Sequence, residues 1–227
     1  MPNVTDLREK SRRSILLGGL ASILTGCVES PVIVNAFEAL KYSIVGFPDV
    51  PIKREAISKI PYASISAKIG IGPRSILILW RRENDDLHWI SADRVVVVTR
   101  HGRVVKTFGL PENMKNTQEL GADPVNRTLH LAKGQPTFNR SVDLDVDNRY
   151  SIPIESVFEV VGAREITIAE LKIKTILIVE RNTARTVNWS FTNYFWVDAF
   201  DGFVWKSRQH IARNFDPIEI EVLKPAI

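Results

Sequence analysis

The chain has 227 residues, with 30 Lys+Arg against 26 Asp+Glu for a formal net charge of +4, and a single cysteine. Charges so nearly balanced and so scattered form no basic stripe of the kind nucleic acid needs, so neither DNA nor RNA is expected as a partner. One thiol cannot make an intramolecular disulfide, and the fold must rest on burial of apolar surface.

The first element is the apolar run Ile15–Leu24, preceded by Arg8, Lys10, Arg12 and Arg13 and followed by small residues. It is far shorter than the roughly 20 apolar residues of a spanning helix. Its order of charged, apolar and small segments is that of an export signal. Leu24-Thr25-Gly26-Cys27 resembles the lipobox of bacterial lipoprotein signals. That resemblance implies a signal peptide over residues 1–26 and a mature chain that begins at a lipidated Cys27. The alternatives are a signal cut elsewhere, leaving a free thiol, or a buried core cysteine. A leftover cysteine in an exported protein needs a special explanation, and acylation supplies one. Acyl chains contribute about 0.8 kcal/mol per buried CH₂, and stable anchoring takes two or more of them. In the lipoproteins that this motif resembles, an aspartate after the cysteine marks retention at the inner membrane; Val28 stands there instead, so the resemblance implies the outer membrane. Ser11-Arg12-Arg13-Ser14-Ile15-Leu16 also resembles a twin-arginine signal, so the general secretory and twin-arginine routes both stay open. Without residues 1–26 the balance is 26 basic against 24 acidic side chains, so the basic excess belongs partly to the leader.

In the mature part, Ile33, Phe37, Leu40 and Ile44 recur at helical spacing, which predicts a helix over 32–45, closed by Pro48 and Pro51. Residues 27–56 are read as a lipidated N-terminus, this helix and a linker, with DVPIKREA as linker or turn. From there, residues 57–227 read as one antiparallel β domain. Short β-branched runs bounded by turn formers predict strands at 61–69, 74–82, 87–90, 94–99 and 103–108, with turns at Gly70-Ile71-Gly72-Pro73 and His101-Gly102. Residues 109–135 are polar, carry Pro111, Gly121, Pro124 and Gly134, and read as a long excursion. Strands resume at 137–145, 150–161, 164–168, 171–181, 185–199, 203–211 and 217–223. Short connections imply antiparallel pairing, because parallel pairs need long crossovers. The predicted fold is therefore mainly β, an antiparallel meander forming a barrel- or sandwich-like body, with one N-terminal helix after the signal peptide.

The run 187–199, VNWSFTNYFWVDA, alternates most clearly. Val187, Trp189, Phe191, Phe195, Val197 and Ala199 share one face, interrupted only by Asn193, while Tyr194, Trp196 and polar residues take the other. After the Asp201-Gly202 turn, Phe203 and Trp205 begin a hairpin partner.

The segment TNYFWVDAFDGFVWKSRQHIARNFDPIEIEVLKP resembles the YjbF/GfcB-like group 4 capsule and exopolysaccharide lipoproteins. So do IPYASISAKIG, GPRSILIL, HWISADRVVVVTRHGRVVKTFGL and the lipobox. The matching positions include Pro61, Tyr62, Trp89, Asp93, Gly102, Arg103, Thr107, Gly109, Phe195, Trp196, Asp198, Gly202 and Pro217. The resemblance implies a lipid-anchored protein on the periplasmic face of the outer membrane. It further implies partners in an outer-membrane β-barrel and periplasmic exopolysaccharide-export proteins.

Candidate site residues carry competing readings. Arg103 could grip the carboxylate of an acidic sugar through paired hydrogen bonds, or pair with Asp93 or another acid of the fold. Tyr194 and Trp196 could stack on sugar rings, or cover a second core beneath the helix. Trp80, Trp89, Trp189 and Trp205 are expected in the core. Asp143-Leu144-Asp145-Val146-Asp147-Asn148 opens like a calcium loop, but Asn148 replaces the turn glycine and Ile154 stands where the bidentate Glu belongs. His88, His101, His130 and His210 have no ligand spacing. There is no G-x-S-x-G elbow and no phosphate-binding loop. No catalytic residue, metal or cofactor is assigned beyond the covalent lipid on Cys27. The leading expectation is a non-enzymatic lipoprotein that assists export or assembly of a capsule or exopolysaccharide. The rivals are a polysaccharide-binding module using Tyr194, Trp196 and Arg103, and a polysaccharide-modifying enzyme with a carboxylate pair assembled across strands.

Overall fold

In the computed structural model of the chain, which describes residues 52–125, 134–145 and 149–226, twelve antiparallel strands form one sheet. They are β1 (Ser64–Ile69), β2 (Ser75–Glu83), β3 (Asp86–Ile90), β4 (Val96–Arg100), β5 (Arg103–Phe108) and β6 (Met114–Gln118), followed by β7 (Thr137–Leu144), β8 (Arg149–Ile168), β9 (Leu171–Ala184), β10 (Trp189–Asp198), β11 (Val204–Gln209) and β12 (Ile218–Lys224). One short helix, α1 (Arg54–Ser58), precedes them. The export signal, Cys27 with its lipobox, and the predicted helix over 32–45 lie outside the described residues.

Each strand pairs with its sequence neighbour, except that β1 pairs with β12, which leaves β5 and β6 as the two edges. Side chains close that seam. Thr117 Oγ1 donates to the carbonyl of Val105 at 3.0 Å, and Thr107 Oγ1 accepts the Met114 N–H at 3.0 Å. The meander thus curls into a nearly closed barrel, the form that leaves few unpaired strand edges. Both threonines are buried. The pair Thr107→Val and Thr117→Val, which keeps the volume and deletes both bonds, is expected to cost about 2–3 kcal/mol and to speed amide exchange along β5 and β6. Unchanged exchange there would mean that the seam does not depend on these hydroxyls.

The strands follow the sequence pattern closely apart from shifted ends, as where the run expected at 185–199 opens with a 3-10 turn at Arg185–Val187 and its strand begins at Trp189; three further differences stand out. β6, with the sequence MKNTQ, falls inside the expected excursion; its polar residues carry no strand signal, and it is held by pairing with β7. The runs expected at 150–161 and 164–168 are one 20-residue strand, β8, that passes through a bulge between Val160 and Gly162. In the segment expected as a linker, α1 forms and buries Ile57 against Ile168 and Leu223. The β8–β9 turn has positive φ at both Ala169 and Glu170, as a type I′ hairpin turn requires. The Glu170 carboxylate accepts the Arg54 backbone N–H at 3.3 Å and so ties this tip to α1.

Period-two alternation sets the inside. On β10, Trp189, Phe191, Asn193, Phe195 and Val197 are buried, while the intervening residues are exposed or half-buried. The main apolar cluster gathers residues such as Ile65, Leu77, Trp89, Ile154, Trp189 and Ile220. A second holds Phe138, Phe158, Ile178 and Phe195. Trp205 is half-buried beside α1. Trp80, expected in the core, is instead 61 % exposed: Leu77 and Leu79 point toward the core from β2, and Trp80 faces outward at a bulge between Leu79 and Arg81.

Candidate functional site

Two sets of side chains stand out, on opposite faces of the sheet. The inner set is charged. Arg103, the first residue of β5, is 2 % exposed and is held bidentately by two acids. Its Nε donates to Asp123 Oδ2 and its Nη2 to Asp123 Oδ1 at 3.0 Å, while Nη1 and Nη2 donate to Glu180 Oε2 and Oε1 at 3.1 and 2.9 Å. Glu180, on β9, also accepts from Arg140 Nη1 of β7 at 2.9 Å and from Asn193 Nδ2 of β10 at 2.7 Å. Arg140 is completed by Ser156 Oγ at 2.6 Å and Asn182 Oδ1 at 3.0 Å. The rings of Phe138 and Phe195 lie 5.8 and 5.4 Å from the Arg103 guanidinium carbon, within cation–π range.

This cluster balances two cations against two carboxylates inside the barrel. Burial alone pushes the Glu180 carboxyl up, but the charges of Arg103 and Arg140 outweigh it and hold its pKa down at about 2. For Arg103 burial pulls down, and Asp123 and Glu180 more than reverse that, so its pKa is raised. Arg140 has a weaker share of the acids; burial prevails and its pKa falls to about 10. A carboxyl depressed from 4.5 to about 2 contributes stability that is complete above pH 4.5 and lost as pH falls toward 2. We therefore expect acid unfolding to steepen in that window, and the steepening to be missing from Glu180→Gln in denaturant titrations run at successive pH values.

Of the two readings of Arg103, the structure shows the structural one, with Asp123 and Glu180 as the partners; Asp93 instead accepts a hydrogen bond from Ser91 Oγ. The guanidinium is therefore not on a surface that a sugar could reach. Glu180, Arg140 and Asp123 were not expected from the sequence. The first two do carry a signal in hindsight, since they occupy the same strand parity as Ile178 and Val142, where apolar residues belong. Asp123 lies after a turn and carries none.

The outer set contains Tyr194 and Trp196. Both are half-buried, their ring centroids are 6.2 Å apart, and the planes differ by 32°. Lys206, opposite Trp196 on β11, places Nζ 5.6 Å from its ring centroid. The same ammonium pairs with Glu219 and Glu221 of β12 at 3.1 and 2.8 Å, and Arg74 reaches both acids at 2.5 and 3.2 Å. The helix over 32–45, beneath which Tyr194 and Trp196 could have covered a second core, lies outside the described residues; the small core beside α1 is built by Ile57, Ile168, Leu223 and Trp205. The arrangement is a shallow aromatic step edged by a charge ladder. Such a surface can receive the apolar face of a sugar ring, and its lysine can receive a sugar hydroxyl or carboxylate.

Other candidates resolve more simply. Asp143 accepts the Ser151 N–H at 2.7 Å and Asp145 pairs with Lys115 at 2.7 Å; Asp147 and Asn148 lie outside the described residues, as does His130. His88 and His101 stand near Glu83 and Asp85, at 3.7 and 3.9 Å. His210 is pushed down by burial and by Arg208. Among the described residues no group of three or more His, Cys, Asp or Glu could hold a metal ion.

Comparison with known proteins places this geometry. Residues 37–223 match the family described as "Group 4 capsule polysaccharide lipoprotein gfcB, YjbF". The lipoprotein GfcB of Escherichia coli K12 is 29 % identical over 216 residues, which cover 94 % of this chain and 99 % of that one. The lipoprotein YjbF of the same organism is 24 % identical over 184 residues, 81 % of this chain and 85 % of that one. Among solved structures, the hypothetical lipoprotein YmcC from E. coli K12 superposes with a TM-score of 0.71 at 26 % identity, covering 86 % of this chain and 97 % of its own. The chain belongs to the YjbF/GfcB family of group 4 capsule polysaccharide lipoproteins.

Proposed function

We propose that this member of the family is a lipid-anchored, non-enzymatic protein of the outer membrane that assists export or assembly of a capsule or exopolysaccharide. The observation that carries the proposal is the family match beginning at residue 37, ten positions after the lipobox cysteine. In this reading residues 1–26 are the removed signal, residues 27–56 carry the acylated Cys27 and a tether, and residues 57–227 are the barrel. An anchor confines the barrel to a membrane plane and raises its effective concentration near other components of that membrane. The partners would be an outer-membrane β-barrel and periplasmic export proteins.

The test uses the polymer-producing bacterium. In the wild type, mass spectrometry should find acyl chains on Cys27 and the chain should fractionate with the outer membrane. Cys27→Ala should leave that fraction and reduce polymer release as far as deletion of the gene does. An unmodified chain together with normal secretion in the deletion strain would overturn the proposal.

The aromatic step supports a second reading, in which the barrel also holds the polymer, with Tyr194 and Trp196 as stacking platforms and Lys206 in place of the buried Arg103. Trp196→Ala should then weaken retention on immobilised polymer while leaving the fold intact. Equal retention would remove this reading.

A further inference from the structure

The barrel contains a cavity of about 350 Å³, apart from both the buried ion cluster and the outer aromatic pair Tyr194 and Trp196. Its walls come from the inner faces of β1, β3, β11 and β12, with Ile65, Leu87, Trp89, Ile220 and Val222 contributing apolar surface. Its edge carries Arg82 from the end of β2 and Asn84, Asp85 and His101 from the β2–β3 and β4–β5 turns, all exposed. Phe203 and Trp205 stand on the remaining side, ring centroids 4.9 Å apart and edge to face.

Two polar side chains within the walls are already partnered. The Trp89 indole N–H donates to Thr99 Oγ1 at 2.8 Å, and Ser207 Oγ accepts from Gln209 Nε2 at 2.8 Å. None of the buried side-chain atoms left without a hydrogen bond among the described residues belongs to the lining. A saccharide buried here would lose water and find few partners, whereas an alkyl chain has none to lose. The volume lies in the range of small-ligand pockets, which are mostly apolar with a few polar groups that orient the ligand. At the edge, Arg82, whose Nη2 also donates to the Ala226 carbonyl at 3.2 Å, can receive an acidic headgroup while the chain lies inside; His101 there stands 3.9 Å from Asp85. The adjoining β10–β11 turn carries Phe200, 93 % exposed, an apolar side chain in position to meet an amphiphile.

We propose that this cavity is a binding site for a single alkyl chain of an acidic amphiphile. The chain is that of a free acidic lipid. The site stands whether or not the export role above is correct, because it rests on the barrel interior alone.

The probe is undecanoic acid brominated at its terminal carbon, a quencher of Trp89 and Trp205, added to the full chain carrying Cys27→Ala. Saturable quenching is expected. Unlabelled undecanoate should reverse it, butyrate and neutral oligosaccharides should not, and Val222→Phe and Leu87→Phe should each weaken it by at least about tenfold while circular dichroism stays native. Quenching that does not saturate, or that undecanoate fails to reverse, overturns the proposal. So does quenching that a folded Val222→Phe or Leu87→Phe variant leaves unchanged. Should both variants fail to fold, reversal by undecanoate decides alone.

Discussion

Glu180→Gln is expected to destabilise the barrel by about 3–5 kcal/mol, because among the described residues it leaves Arg103 and Arg140 only Asp123, bonded to Arg103, as a buried counter-charge. Four hydrogen bonds converge on that carboxylate from three strands, so the loss falls on β5, β7 and β10 together. Denaturant unfolding measures it directly. A second substitution makes the argument specific: Arg140→Met in the Glu180→Gln background restores the balance, with Arg103 still held by Asp123. The double variant should therefore be more stable than the sum of the single effects predicts, with a coupling of roughly 1–3 kcal/mol. Additive effects would mean that the two residues do not act as an electrostatic pair. The cluster is not thereby a source of large net stability, since buried ion pairs often do no better than a well-packed apolar substitute. It ties β5 and Asp123 to β7, β9 and β10 across the interior.

Gly102→Ala is expected to cost about 3 kcal/mol, the sum of backbone strain and steric overlap. Gly102 has φ +89°, and a Cβ placed there would lie 2.4 Å from Val204 Cβ. The close approach exists because β5 begins against β11: the Gln209 amide accepts from the Val104 N–H at 3.0 Å and donates to the Gly102 carbonyl at 2.9 Å. Arg103 enters the interior from this point, so displacing the turn also disturbs its acids. Gly134→Ala is the control, since Gly134 has φ +84° with nothing within 4 Å of the place an added methyl would take, and only the strain of about 1 kcal/mol should remain. Val204→Ala should give little rescue, because the nearest atom is the Cβ that alanine keeps. Equal costs at the two glycines would show that the contact with Val204 yields easily.

Both substitutions act on the interior, and neither touches Tyr194, Trp196 or Lys206 on the outer face. A variant that is folded but loses polymer retention, set beside one that is unstable but retains it, would separate the saccharide reading from simple damage to the barrel.

The sequence by itself determined the strand alternation, the antiparallel connectivity and the family, because each is written in local spacing: turn formers at short intervals, β-branched runs, and apolar residues at every second position. It also supplied the lipobox argument for Cys27, which is a local motif. Asn193, the one polar break in an apolar face, was visible as an anomaly, but its partner Glu180 lies on another strand and has no local mark. Only the tertiary structure decided that Arg103 is an interior cation, that Trp80 faces outward, and that the polar MKNTQ segment becomes an edge strand sealed by two threonines. Each of these depends on which distant residues the closing of the barrel brings within a few ångströms, and a charge or a hydroxyl finds its meaning only in that company.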